Sequence, residues 1–65
     1  MTSPRTERFR VWTSRGSGSY RTRSKAIAAA QWVASETGEI VVVASEATGH
    51  RWDVSPAGRV HDAWT

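Results

Sequence analysis

Residues 24–37 read SKAIAAAQWVASET, and the fold turns on how this stretch winds. At 100° per residue Ala26, Ile27, Ala30, Val33, Ala34 and Thr37 share one broad stripe. Trp32 falls on the opposite side with Ala28, Ser35 and Glu36. The alanines carry high helix propensity. Upstream, Thr22 or Ser24 offers an oxygen for an N-cap, and Thr22 is preferred because the helix then starts before its alanine-rich body. Lys25 thereby stands at the third helical position, where a capping box has Glu or Gln. Gly38 suits the left-handed residue that closes a helix. The spacing predicts one helix over about residues 23–37, with a stripe for a sheet and a Trp that the sheet cannot reach.

The flanking segments supply that sheet. Phe9-Arg10-Val11-Trp12-Thr13 alternates, with Phe9, Val11 and Thr13 on one face and Arg10 and Trp12 on the other. Arg15-Gly16-Ser17-Gly18 reads as a hairpin turn whose glycines accept positive φ, and Ser19 to Thr22 as the returning strand, with Arg21 opposite Tyr20. After the helix, Ile40 to Ala44 is a continuous aliphatic run, the pattern of a strand covered on both faces. His50 to Val54 alternates again, Trp52 and Val54 inward. Ser55 to Gly58 is a turn, and Arg59 to Trp64 a last strand with Val60 and Trp64 inward and His61 outward. The expected fold class is α+β: a single helix packed on one face of a mostly antiparallel four- or five-stranded sheet. The order is β-β-α-β-β, with a further β if the end pairs. A right-handed crossover of the helix over the first strand gives the sheet order 2-1-3-4-5.

Sixty-five residues make one domain, and a chain this short buries only about 60% of its unfolded surface. We divide it into a polar arm at residues 1–8, expected to be flexible, and a domain at residues 9–65. There is no cysteine, hence neither a disulfide nor a thiolate metal site. No run is long enough for a signal peptide or a membrane span, so the expectation is a soluble, cytoplasmic protein with no membrane partner. Small domains without such supports often gain stability by association, and a homodimer is expected. Charge is uneven: residues 1–25 hold seven cations against Glu7, a net of +6, while residues 26–65 hold two against five acids, a net of −3. A basic half points to a polyanion, to head-to-tail association, or only to a solvated basic face.

Catalysis finds little support. Asp53, Asp62, His50 and His61 are the candidates for acid–base or metal chemistry, and none has catalytic or ligand spacing. The Gly16–Ser19 run lacks the Lys-Ser/Thr of a phosphate-binding loop. Neither enzyme activity nor a metal or other cofactor is expected. The second sheet face is the richer candidate. Alternation gives it Arg10, Trp12, Arg21, Arg51, Asp53 and His61 around Val41 or Val43. Arginines neutralise phosphates or read guanine edges, and Trp stacks on bases; interfaces between proteins favour the same two residue types. With Ala28, Trp32 forms a second apolar patch that suits a protein partner.

The segment Tyr20-Arg21-Thr22-Arg23-Ser24-Lys25-Ala26 resembles the aromatic-x-Thr-Lys-x-Glu-Ala junction of strand and helix in the arm-type DNA-binding domains of phage integrases. The same junction occurs in small bacterial β-β-α-β-β domains of unknown function. The match covers about seven residues. Arm domains place three strands before the helix, against two here, so the strand order resembles the bacterial domains more. The resemblance implies DNA binding with Arg10, Trp12 and Arg21 nearest DNA, and a phage or mobile-element origin. Two functions are therefore carried forward. One is a small nucleic-acid-binding accessory protein acting as a homo-oligomer, using Arg5, Arg8, Arg10, Trp12, Arg21, Arg23 and Arg51. The other is a protein–protein module that self-assembles or binds a host protein through the sheet face or Trp32, with Ala28, Val41 and Val43 in the interface.

Overall fold

The computed structural model describes residues 8–63. Most of the N-terminal arm, Arg5 included, and Trp64 lie outside the described residues. The chain forms β1 (Phe9–Thr13), β2 (Gly16–Tyr20), α1 (Arg23–Thr37), β3 (Val41–Ser45), β4 (Arg51–Val54) and β5 (Val60–Asp62). One antiparallel sheet carries them in the order β2-β1-β3-β4-β5. Both β2 and β3 run antiparallel to β1, so they are parallel to each other, and α1 crosses over β1 between them. Class, helix bounds and strand order are those the sequence predicts.

The helix starts and stops for local reasons. Thr22 is extended, at φ −124° and ψ 154°, and its Oγ1 accepts the Lys25 amide at 3.2 Å. Gly38 sits at φ 72°, and its amide donates to the Ala34 carbonyl at 2.8 Å. On the inner side Ala26, Ala30 and Ala34 are fully buried. Their four-residue spacing makes a smooth ridge that lets the helix lie close on Phe9, Val11, Val41, Val43 and Val54. Ile27 and Val33 flank the ridge, and Tyr20 and Trp52 wall it from the sheet. Gln31 Nε2 donates to the Gly58 carbonyl at 3.0 Å, tying the β4–β5 turn to the helix.

A helix is about 10 Å wide, whereas five strands at about 4.8 Å span some ~24 Å. The helix therefore covers the middle of one face only, and Val60 on the outermost strand stays 43% exposed. Among the described residues, no element covers the other face.

Several local expectations are corrected. The hairpin turn lies at Ser14–Arg15, since Thr13 pairs with Gly16. Thr13 Oγ1 accepts the Arg15 amide and donates to the Gly16 carbonyl, at 3.1 and 2.9 Å, so a side chain closes the turn. Gly16, at φ 132°, and Gly18 are released into β2. Consequently β2 ends at Tyr20, and Arg21 leaves the sheet. Ile40 precedes β3 and is 64% exposed. Val41 and Val43 point under the helix, at 1% and 0% exposure, so they belong to the core rather than to an interface; Val42 and Ala44 hold the outer positions. β5 is shorter than predicted, at three residues.

Candidate nucleic-acid interface

Strand directions decide where the cations go. The start of β1, the end of β2, the first turn of α1, the end of β3 and the start of β4 all meet at one end of the molecule. Phe9 pairs with both Tyr20 and Ser45, Arg10 and Arg51 both pair with Ala44, and the Glu46 amide donates to the Arg8 carbonyl at 2.9 Å. Six of the eight described cations lie there: Arg8, Arg10, Arg21, Arg23, Lys25 and Arg51. Glu46 and Asp62 are the described acids at that end. The opposite end has Arg15 and Arg59 against Glu36, Glu39 and Asp53.

The helix points its N-terminus at the basic end. Its first amides lack intrahelical acceptors, and its dipole adds a partial positive charge. The first turn contains no acid; instead it holds Arg23 and Lys25, with Arg21 just before the cap. Cations there cost roughly 0.3–1 kcal/mol each against the dipole, discounted at such exposed positions. Local stability favours the opposite sign. Among the described residues, none of Arg8, Arg21, Arg23 and Lys25 has a carboxylate within ion-pair distance, whereas Arg10 Nε donates to Glu46 Oε2 at 2.8 Å.

Beside the helix start stands a ring cluster on the helix side of the sheet. His50 stacks on Trp52 with centroids 4.3 Å apart and planes 26° apart, and Phe9 meets Trp52 at 6.1 Å. The Arg23 guanidinium lies 5.8 Å from the Trp52 ring centre. His50 Nε2 is 2.7 Å from Asp62 Oδ1. A shallow depression at this end is lined by Phe9, Arg21, Thr22, Arg23, Thr48, His50 and Trp52. His50 and Asp62 lie on the helix side, while Asp53 pairs with His61 on the open face. The four acid–base candidates are thus split between two faces, and among the described residues no three His, Asp or Glu side chains gather.

The expected nucleic-acid residues therefore fall into two groups. Arg21 and Arg23 line the depression beside the helix N-terminus, and Arg8 precedes β1 at the same end. Arg10, Trp12 and Arg51 occupy the open sheet face, where Trp12 is 50% exposed and the Arg10 guanidinium lies 5.5 Å from its ring centre. Arg21, expected on that face, is not there because β2 stops one residue earlier. Trp32, at 65% exposure, and exposed Ala28 lie on the far side of the helix. Sequence reasoning missed Lys25 and the pairing of His50 with Trp52. A Lys where a capping box wants Glu is the signal that marks the first; register alone brings the second together. The chain matches no family model, and no curated protein or solved structure shows significant similarity to it.

Proposed function

We propose that the protein is a small, non-catalytic nucleic-acid-binding accessory protein that grips the phosphate backbone with its basic end. The observation that carries this is the gathering of six cations at the end of the molecule where the helix N-terminus lies, with no acid in the first helical turn. Arg8, Arg21, Arg23 and Lys25 make the main phosphate contacts, with Arg10 and Arg51 reaching the same end from the open face. Helix amides and arginine side chains recognise phosphate in complementary ways, by directed N–H groups and by forked charge. Such contacts position a protein on nucleic acid without reading base sequence. Binding is therefore expected to tolerate sequence and to be governed by counterion release.

The test is a titration of a short duplex by fluorescence anisotropy at several salt concentrations. Affinity should fall with a log–log slope of about −3 to −4 for four phosphate contacts, and Arg21→Ala should flatten it by about 1. Absence of binding at low salt, or binding indifferent to Arg21→Ala and Arg23→Ala, overturns the reading.

A further inference from the structure

The open sheet face carries its side chains in two rows that cross the strands. Register sets one row as Ser17, Trp12, Val42, Asp53 and His61, and the next, two residues along each strand, as Ser19, Arg10, Ala44 and Arg51. Trp12, Val42 and Arg51 line one shallow depression there. On the four strands β2, β1, β3 and β4 the rows are complementary to each other.

We infer that this face binds a second copy of the same chain, about a two-fold axis lying in the interface and running across the strands midway between the rows. That operation lays each row on the partner's other row. Arg51 then faces the partner's Asp53, Arg10 faces the partner's Trp12, and Ala44 faces the partner's Val42. Ser19 faces the partner's Ser17 at the edge. Ion pair, cation–π contact, apolar contact and hydroxyl pair all arise from one rotation, and each occurs twice, as an isologous interface requires.

Two further features fit this occupant. The strands of the two sheets stay aligned, the common arrangement for sheets packed about 10 Å apart. The rotation also reverses the strand axis, so the basic end of one copy lies beside the end carrying Glu36 and Glu39 of the other. The projected face is small, about 400 Å² per copy from strand spacing and rise and so about 800 Å² for the pair, which is the size of a weak, transient interface. The dimer is therefore expected to form at micromolar rather than nanomolar concentration.

Sedimentation of the full chain without nucleic acid, from about 10 µM to about 1 mM, tests this. The mass should rise from 7.2 kDa towards twice that value. Asp53→Arg and Arg51→Asp should each weaken the dimer by about tenfold or more, because like charges then meet across the axis. The double exchange Arg51→Asp with Asp53→Arg should restore it to within about threefold, since each new charge again faces its opposite. Should a charge variant fail to fold by circular dichroism, Trp12→Ala serves instead, with an expected loss of about tenfold. A chain monomeric at the highest concentration overturns the inference. So does a dimer indifferent to these variants, a double exchange without rescue, or a dimer lost on Trp32→Ala, which would put the contact on the helix.

Discussion

Lys25 is the residue at which local stability and the proposed activity separate. Its amide donates to the Thr22 cap, and its side chain occupies the third helical position. A glutamate there would complete a capping box and complement the dipole. Lys25→Glu is therefore expected to raise the unfolding free energy by about 0.5–1 kcal/mol in urea melts while weakening duplex binding. A variant that binds as tightly as the wild type removes this residue from the interface. Gly38 shows the reverse case, a position chosen for the backbone alone. At φ 72° an added Cβ meets no neighbour, so space is not the constraint. Gly38→Ala should nonetheless cost about 1–2 kcal/mol, measured by the same melts, because an L side chain disfavours that conformation.

Among the elements, the helix is set by its alanine ridge. Ala26, Ala30 and Ala34 have no exposure, and the valines below have none to spare. Ala30→Leu would force the helix off the sheet and should cost about 1–3 kcal/mol. Val43→Ala removes two methyl groups from the same contact and should cost about 2 kcal/mol through lost transfer energy and the cavity left behind. A 65-residue chain with roughly 0.05–0.15 kcal/mol of stability per residue has little margin for either change, so both should lower the melting temperature by several degrees. The β1–β2 hairpin shows where element boundaries escaped the sequence. Arg15-Gly16-Ser17-Gly18 has the composition of a turn, yet the Thr13 hydroxyl closes a tighter one at Ser14–Arg15. That displacement moves the start of β2 from Ser19 to Gly16 and its end from Thr22 to Tyr20, which takes Arg21 off the sheet. Tyr20 keeps its expected inward face, its ring lying against the position of Gly18, where a Cβ would sit 3.6 Å from Cε1.

For the whole molecule the decisive property is polarity along the strands. Sequence places a net +6 in residues 1–25, but the fold sorts charge by end rather than by half. Arg15 goes to the far end, and Arg51, from the acidic half, joins the basic one. A point charge added at the far end, such as Glu39→Lys, should therefore change duplex affinity less than Arg23→Ala does, in anisotropy titrations at matched salt. Equal effects would mean that net charge, not its arrangement, drives binding. The dimer geometry points the two basic ends in opposite directions and leaves Arg8, Arg21, Arg23 and Lys25 uncovered, while Arg10 and Arg51 belong to both surfaces, so duplex binding by the dimer rests on the first four.

The helix, its two caps, the strand order and the exposed side of Trp32 were legible in the sequence. The strand order rests on the handedness of the crossover, and the helix, its caps and the side of Trp32 rest on periodicity or on backbone chemistry that acts within a few residues. The inward phase of β1 and β4 was legible for the same reason. Ile40 to Ala44 was not, because a continuous aliphatic run has no period to fix its phase. Only the paired register buries Val41 and Val43 and leaves Val42 and Ala44 outside. Sequence alone thus determined which elements form and which way most of them face. Tertiary structure alone decided that six cations share one end and that two complementary rows share one face. Both depend on which strand ends meet, and that is fixed by pairing between residues far apart in the chain.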